Sequence, residues 1–201
     1  MSNPTKSPQP WILPSAVEWA QRVVSEHLRP GDVAVDGTAG NGHDTLFLAQ
    51  KVSPSGRVFA FDVQESALER TRQRVSDAGM TDEQVITLCA PHETLAHTLP
   101  AEIRGKVQAF MFNLGYLPGS DKTRITMADT TLLALASALD WLAPRGIMTV
   151  VVYPGHPGGD EEAEAVRFFA SQRPAREVEV QHIRPANRSQ HPPECWVFLK
   201  R

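Results

Sequence analysis

The sequence predicts an α/β fold, a mainly parallel sheet with helices on both faces, and three features predict it. Short apolar runs alternate with amphipathic stretches along the chain, the pattern of strand–helix–strand units. One run, Val33-Ala34-Val35, ends in Asp36 and passes directly into the turn Gly37-Thr38-Ala39-Gly40-Asn41-Gly42 and the helical stretch Thr45 to Gln50. Another run, Ile147 to Tyr153, is almost continuously apolar, as a strand buried on both faces must be.

The elements follow in order. Residues 1–10 have neither periodicity nor an apolar core segment and read as a flexible tail, with a single domain over 11–201. A first helix begins at Ser15, with Glu18 placed to complete a capping box, and stops before Pro30-Gly31. After the glycine turn and its helix, Ser53-Pro54-Ser55-Gly56 turns into a second strand, Arg57 to Asp62. Glu65 to Ala78 carries Ala67, Leu68, Thr71 and Val75 on one face and ends at Gly79, a helix with a glycine stop. Strands follow at Gln84–Leu88 and Lys106–Asn113. Thr126 to Leu142 reads as a helix stopped by Pro144-Arg145-Gly146. Asp160 to Gln172 is a helix with acids in its first turn, where the dipole favours them. Arg176–Ile183 and Cys195–Leu199 complete the strands.

Composition narrows the class. The 201 residues are 41% hydrophobic and 21% charged, which suits one soluble domain with a full core. No apolar run is long enough to span a bilayer, and the N-terminus lacks a secretory h-region, so a cytoplasmic protein without membrane association is expected. Cys89 and Cys195 stand far apart, form no metal or redox motif, and read as reduced core residues. A net charge of −3 supplies no global basic field, so any RNA contact has to come from a local patch.

The turn carries the chemistry. Its glycine order is Gly-x-x-Gly-x-Gly after Asp36, whereas the dinucleotide fingerprint is Gly-x-Gly-x-x-Gly with a pyrophosphate at the helix terminus. An acid at that strand end repels a pyrophosphate and suits a cationic ligand, such as the amino and sulfonium groups of S-adenosylmethionine. Asp62 follows the last glycine by about 20 residues, the spacing of an acid that takes a ribose hydroxyl pair. Gln64 sits just beyond it, where ribose and adenine would border. Asp44 at the helix start reads either as a cap or as a ligand. Asn41 reads as a turn residue at positive φ. After the fourth strand, Asn113-Leu114-Gly115-Tyr116-Leu117-Pro118-Gly119 offers an amide carbonyl for an amine and a ring for a base, or is a plain turn.

By residue type and order the chain resembles the class I S-adenosylmethionine-dependent methyltransferases, with a Rossmann-like seven-stranded sheet and an antiparallel last strand. The loop at Asn113 resembles the Asn-Pro-Pro-Tyr loop of amino-group methyltransferases, with Leu114-Gly115 in place of the two prolines. More narrowly, four blocks occur together. They are Asp36 to Thr45, Phe59 to Ala67, Phe112 to Lys122, and Tyr153-Pro154-Gly155-His156-Pro157-Gly158-Gly159. They resemble the small methyltransferases labelled rRNA methylase, of which characterised members methylate 5-aminomethyl-2-thiouridine at the wobble position of tRNA. That resemblance implies that Asn41, Asp44, Asp62, Gln64 and His92 line the cofactor site, with Gly40, Gly42 and Asn113 around the same ligand. The position before His92 is commonly Ser in the family. Here it is Pro91, so only its backbone can serve.

The acceptor side is expected from Asn113, the Leu114 carbonyl, Gly115 and Tyr116. Lys122 either contacts phosphate or pairs with Asp121. His156 either meets the substrate and aids proton release or is an ordinary loop residue. Arg184 to Pro193 carries Arg184, Arg188 and His191 with no acid. It reads as a basic patch for an anticodon stem-loop or as a solvated loop. Exposed aromatics, Trp11 and Trp19, point to a homodimer. Methylation of rRNA or of a small amine, an NAD-dependent oxidoreductase and a non-catalytic nucleotide-binding module are the competing functions.

Overall fold

The computed structural model describes residues 13–115, 128–155, 158–188 and 191–201. Helix α1 (Ala16–His27) opens with the capping box expected of it: the Ser15 hydroxyl accepts from the Glu18 N–H, and the Glu18 carboxylate accepts from the Ser15 N–H. Strand β1 (Val33–Asp36), helix α2 (His43–Val52), strand β2 (Arg57–Asp62), helix α3 (Glu65–Asp77) and strand β3 (Val85–Cys89) form two consecutive crossover units. A short α4 (Leu95–Thr98) then precedes β4 (Val107–Leu114), α5 (Ala128–Trp141), β5 (Leu142–Val152), α6 (Gly159–Ser171), β6 (Val178–Ile183) and β7 (Glu194–Lys200).

The seven strands lie in the order β3-β2-β1-β4-β5-β7-β6. All pairings are parallel except those of β7, which runs antiparallel to both β5 and β6. Strand order reverses between β1 and β4, where an open α/β sheet leaves a crevice beyond its carboxyl ends. Alternation along the strands divides the core. Val35, Phe59, Phe110 and Phe112 pack under α5 and α6, while Ala34, Val58, Ala109 and Met111 pack under α1 and α2.

Three expectations need correction. Pro144-Arg145-Gly146 does not separate a helix from a later strand, because β5 begins at Leu142, immediately after α5. The pairing steps from Val107↔Leu142 to Ala109↔Ile147, so Ala143 to Gly146 bulge opposite Gln108, with Arg145 at φ 64°. The abrupt helix end is satisfied from elsewhere: the Lys200 ammonium donates to the carbonyls of Leu139 and Leu142 at 2.8 Å and of Asp140 at 3.4 Å. Cys89 is exposed at the end of an edge strand rather than in the core; Cys195 is buried, and burial pushes its thiol up to about 12. Trp19 is half-buried against the core beneath α1, with Arg22 over its ring, so it does not form the exposed face that suggested a dimer. The tail over 1–10 and Trp11 lie outside the described residues.

Lys200 joins three carbonyls that a helix terminus otherwise leaves to solvent. Lys200→Met should therefore destabilise the domain by about 2 kcal/mol, as charged hydrogen bonds do, read as a lower urea midpoint with an unchanged m-value.

Candidate functional site

The carboxyl ends of β1, β2 and β4 meet at one edge of the sheet, on both sides of the reversal in strand order. Asp36 ends β1 and is only 1% exposed. One oxygen accepts from the Thr38 N–H at 3.0 Å and the other from the Thr45 hydroxyl at 2.6 Å. The acid thus ties the strand end to the turn and to the first turn of α2. Burial and the nearby Asp44 carboxylate push Asp36 up to about 7, against the two hydrogen bonds that favour its charged form. Buried as it is, Asp36 acts on the crevice through its charge and through the turn it shapes.

That turn is tight for steric reasons. Gly37 lies under Phe112, where an added Cβ would come within 2.2 Å of the ring. Gly42 has φ 76°, and an added Cβ would meet the α3 backbone at Thr71 Cα, 2.8 Å away. The positive φ in the turn belongs to Gly40 and Gly42, not to Asn41 as expected. Asn41 instead faces α3: its side-chain oxygen accepts from Arg70 Nε at 2.9 Å and its carbonyl from Arg74 Nε at 2.6 Å.

Asp62 ends β2 across from the turn. Its oxygens accept from the Gly40 N–H and the Gln64 N–H, both at 2.9 Å. A carboxylate has about four acceptor positions, so two bonds leave capacity for a vicinal diol. Gln64 is the N-cap of α3 and makes no capping bond with its side chain. His92, beyond β3, is buried, and burial lowers its pKa so that the ring is neutral at pH 7. It packs edge-on to Phe112, and its Nε2 has no hydrogen-bond partner among the described residues, with the Glu93 carboxylate 3.9 Å away. A buried ring nitrogen of this kind needs a partner, and a ligand amine or hydroxyl would supply it. Pro91 offers shape only, because its carbonyl accepts from both the N–H and the hydroxyl of Thr94.

Asn113, near the end of β4, is fixed on three sides. Its N–H donates to the Thr38 hydroxyl at 2.7 Å, its Nδ2 donates to Asp44 at 3.4 Å, and the Tyr153 phenol lies beside its amide. Asp44 is not a helix cap, because Gly42 holds that position. It is buried, and its second oxygen accepts from Gln21 Nε2 of α1 at 2.7 Å. Tyr153 is half-buried, and burial together with Asp44 raises its pKa. The Gly115 backbone runs close to the Tyr153 ring, where a Cβ would stand 3.2 Å away. Leu114 is wholly buried, so only its backbone can face a substrate.

Tyr116, Lys122 and His156 lie outside the described residues. Arg188 is exposed between β6 and β7. The patch around it is less basic than its own sequence suggests: Arg184 lies 3.6 Å from Glu194, and the His191 ring 2.8 Å from Asp160. The structure thus brings Asp36, Asp44, Asp62 and Asn113 to one edge and adds Gln21, Thr38, Thr45 and Tyr153. The threonines were visible as turn and helix residues. Nothing local in the sequence marked Gln21 as a partner of Asp44.

Comparison with known proteins gives the same outline. Residues 58–199 match the family model described as "Putative rRNA methylase". The chloroplastic tRNA (mnm5s2U34)-methyltransferase of Arabidopsis thaliana is 37% identical over 92% of this chain and 69% of that protein. Two solved structures are also similar. A putative rRNA methylase from Clostridium thermocellum has 33% identity and a TM-score of 0.89 over 95% of this chain and all of that one. A putative methyltransferase from Streptococcus mutans, in complex with SAH, has 31% identity and a TM-score of 0.83 over 94% and 100%.

The Asp36 proton gives a test. In the folded chain it is held up to about 7, so its contribution to stability is full below the ordinary carboxylate range and is lost as pH rises through 7. A cation bound nearby favours the carboxylate and expels that proton. Calorimetric titration with S-adenosylmethionine near pH 7 should show heats that vary with the buffer's ionisation enthalpy. Asp36→Asn should remove that dependence.

Proposed function

The chain belongs to the rRNA methylase family and is an S-adenosylmethionine-dependent methyltransferase, and we propose that it methylates the aminomethyl nitrogen of 5-aminomethyl-2-thiouridine at the wobble position of tRNA. The observation that carries this reading is the 37% identity, over 92% of the chain, to a protein named for that reaction. The site supports it.

When bound, the cofactor supplies a methyl group on a sulfonium, and the protein's task is to place a nucleophile in line with it. The residues fit such a ligand: Asp62 has acceptor capacity for the ribose, and His92 has a buried nitrogen without a hydrogen-bond partner among the described residues. An alkylammonium of ordinary pKa about 10.4 is protonated at neutral pH and does not attack. With Nδ2 turned to Asp44, Asn113 presents its amide oxygen as an acceptor for an amine N–H. Once the ammonium has given a proton to solvent, holding the neutral amine by its hydrogens leaves the lone pair free for the methyl. Asp44, buried with Gln21 and Asn113 on its oxygens, fixes that amide. Tyr116 and the Leu114 carbonyl complete the acceptor loop, and an anticodon stem-loop is the RNA partner, with Arg188 as an exposed cation.

Incubation with labelled S-adenosylmethionine and tRNA lacking the terminal methyl, followed by nucleoside analysis, should place label in 5-methylaminomethyl-2-thiouridine. Label confined to rRNA or to small amines would overturn the acceptor. Asn113→Ala should lower kcat by about 100-fold, the cost of a misplaced nucleophile, while the KM for S-adenosylmethionine changes little.

A further inference from the structure

Outside the cofactor crevice, a pocket of about 470 Å³ opens between α2 and α3, lined by Asn41, Leu46, Arg70, Gln73, Arg74 and Asp77. Arg70 and Arg74 stand one helical turn apart on α3 and are both anchored to Asn41 through Nε. Neither guanidinium lies within ion-pairing distance of a carboxylate among the described residues. Arg72, on another side of the same helix, pairs with Glu65. The one acid in the pocket, Asp77, is occupied by Gln73 Nε2 at 2.7 Å. Two guanidinium groups are therefore held in place by one residue, unpaired among the described residues and opposed in the pocket by the single charge of Asp77. A planar fork of donors in that state suits the oxygens of a phosphate.

We propose that this pocket is a phosphate-binding site and that its occupant is a backbone phosphate of the RNA substrate. The source rests on the function proposed above; the site does not. The pocket's link to the functional site is Asn41, a residue of the glycine turn that both arginines also hold. Since the same guanidinium groups clamp Asn41, RNA and cofactor contact opposite sides of one turn.

Removing the arginines would also release the turn, so the test changes charge beside them. Ala78 lines the pocket and ends α3. Ala78→Glu should weaken binding of a full-length tRNA transcript, read by fluorescence anisotropy, by about 5- to 10-fold and lower the salt slope by about 1. Asp77→Asn should tighten it about 2- to 3-fold. Affinity for S-adenosylhomocysteine, measured by calorimetry, should be unchanged in both. A parallel titration with inorganic phosphate should move the Arg70 and Arg74 side-chain NMR signals. If those signals move while tRNA affinity ignores both variants, the site stands and free phosphate replaces RNA as its occupant. If tRNA accepts no methyl group but the phosphate signals respond, the function above fails and the site stands. Signals and affinities that are indifferent throughout overturn the site, as does equal loss of S-adenosylhomocysteine affinity.

Discussion

The arrangement depends on a carboxylate that never reaches solvent. Asp36 accepts one hydrogen bond from the turn that follows it and one from the helix beyond, and so fixes how β1 hands over to α2. Burying an acid costs free energy that only such bonds offset. The expense shows in a proton affinity raised to about 7. From this anchor the other contacts follow in sequence. Thr38, held by Asp36, receives the backbone N–H of Asn113; Gly40 and Asp62 close the turn from the other side. The two halves of the sheet are thus joined at the one place where strand order reverses.

Electrostatics give the crevice its character. Asp44 and Asp62 both bear on Asp36, and Asp44 bears on Tyr153 as well. Three carboxylates on one edge make a site that is costly to leave empty of positive charge. The same edge carries its cations elsewhere, on α3 and on the β6–β7 connection. Negative charge in the crevice and the arginines of α3 therefore stand on different sides of the glycine turn.

Much of this was legible in the sequence, and for a common reason. The capping box at Ser15, the glycine turn and the acids closing β1 and β2 are all patterns of near neighbours, where spacing dictates geometry. Contacts between remote segments were not. Gln21 reaches Asp44 only because α1 lies across α2, and Arg70 and Arg74 reach Asn41 only because α3 packs behind the turn. The segment Arg184 to Pro193 has no acid of its own, yet Glu194 and Asp160 come to it from β7 and α6. Pro144-Arg145-Gly146 reads as a helix stop; Lys200, from the far end of the chain, lets the helix finish earlier and without a loop.

The position of β7 between β5 and β6 has a consequence for biosynthesis. Strand β6 leaves the ribosome before β7 does, yet among the described residues its neighbour in the sheet is β7 alone. Until that later segment emerges, β5 presents an open edge and β6 has nothing to join. Domains otherwise tend to consolidate from the N-terminus as they are made. Here the half of the sheet that would bind the cofactor can assemble early, while the remainder waits as a nascent chain for its central strand.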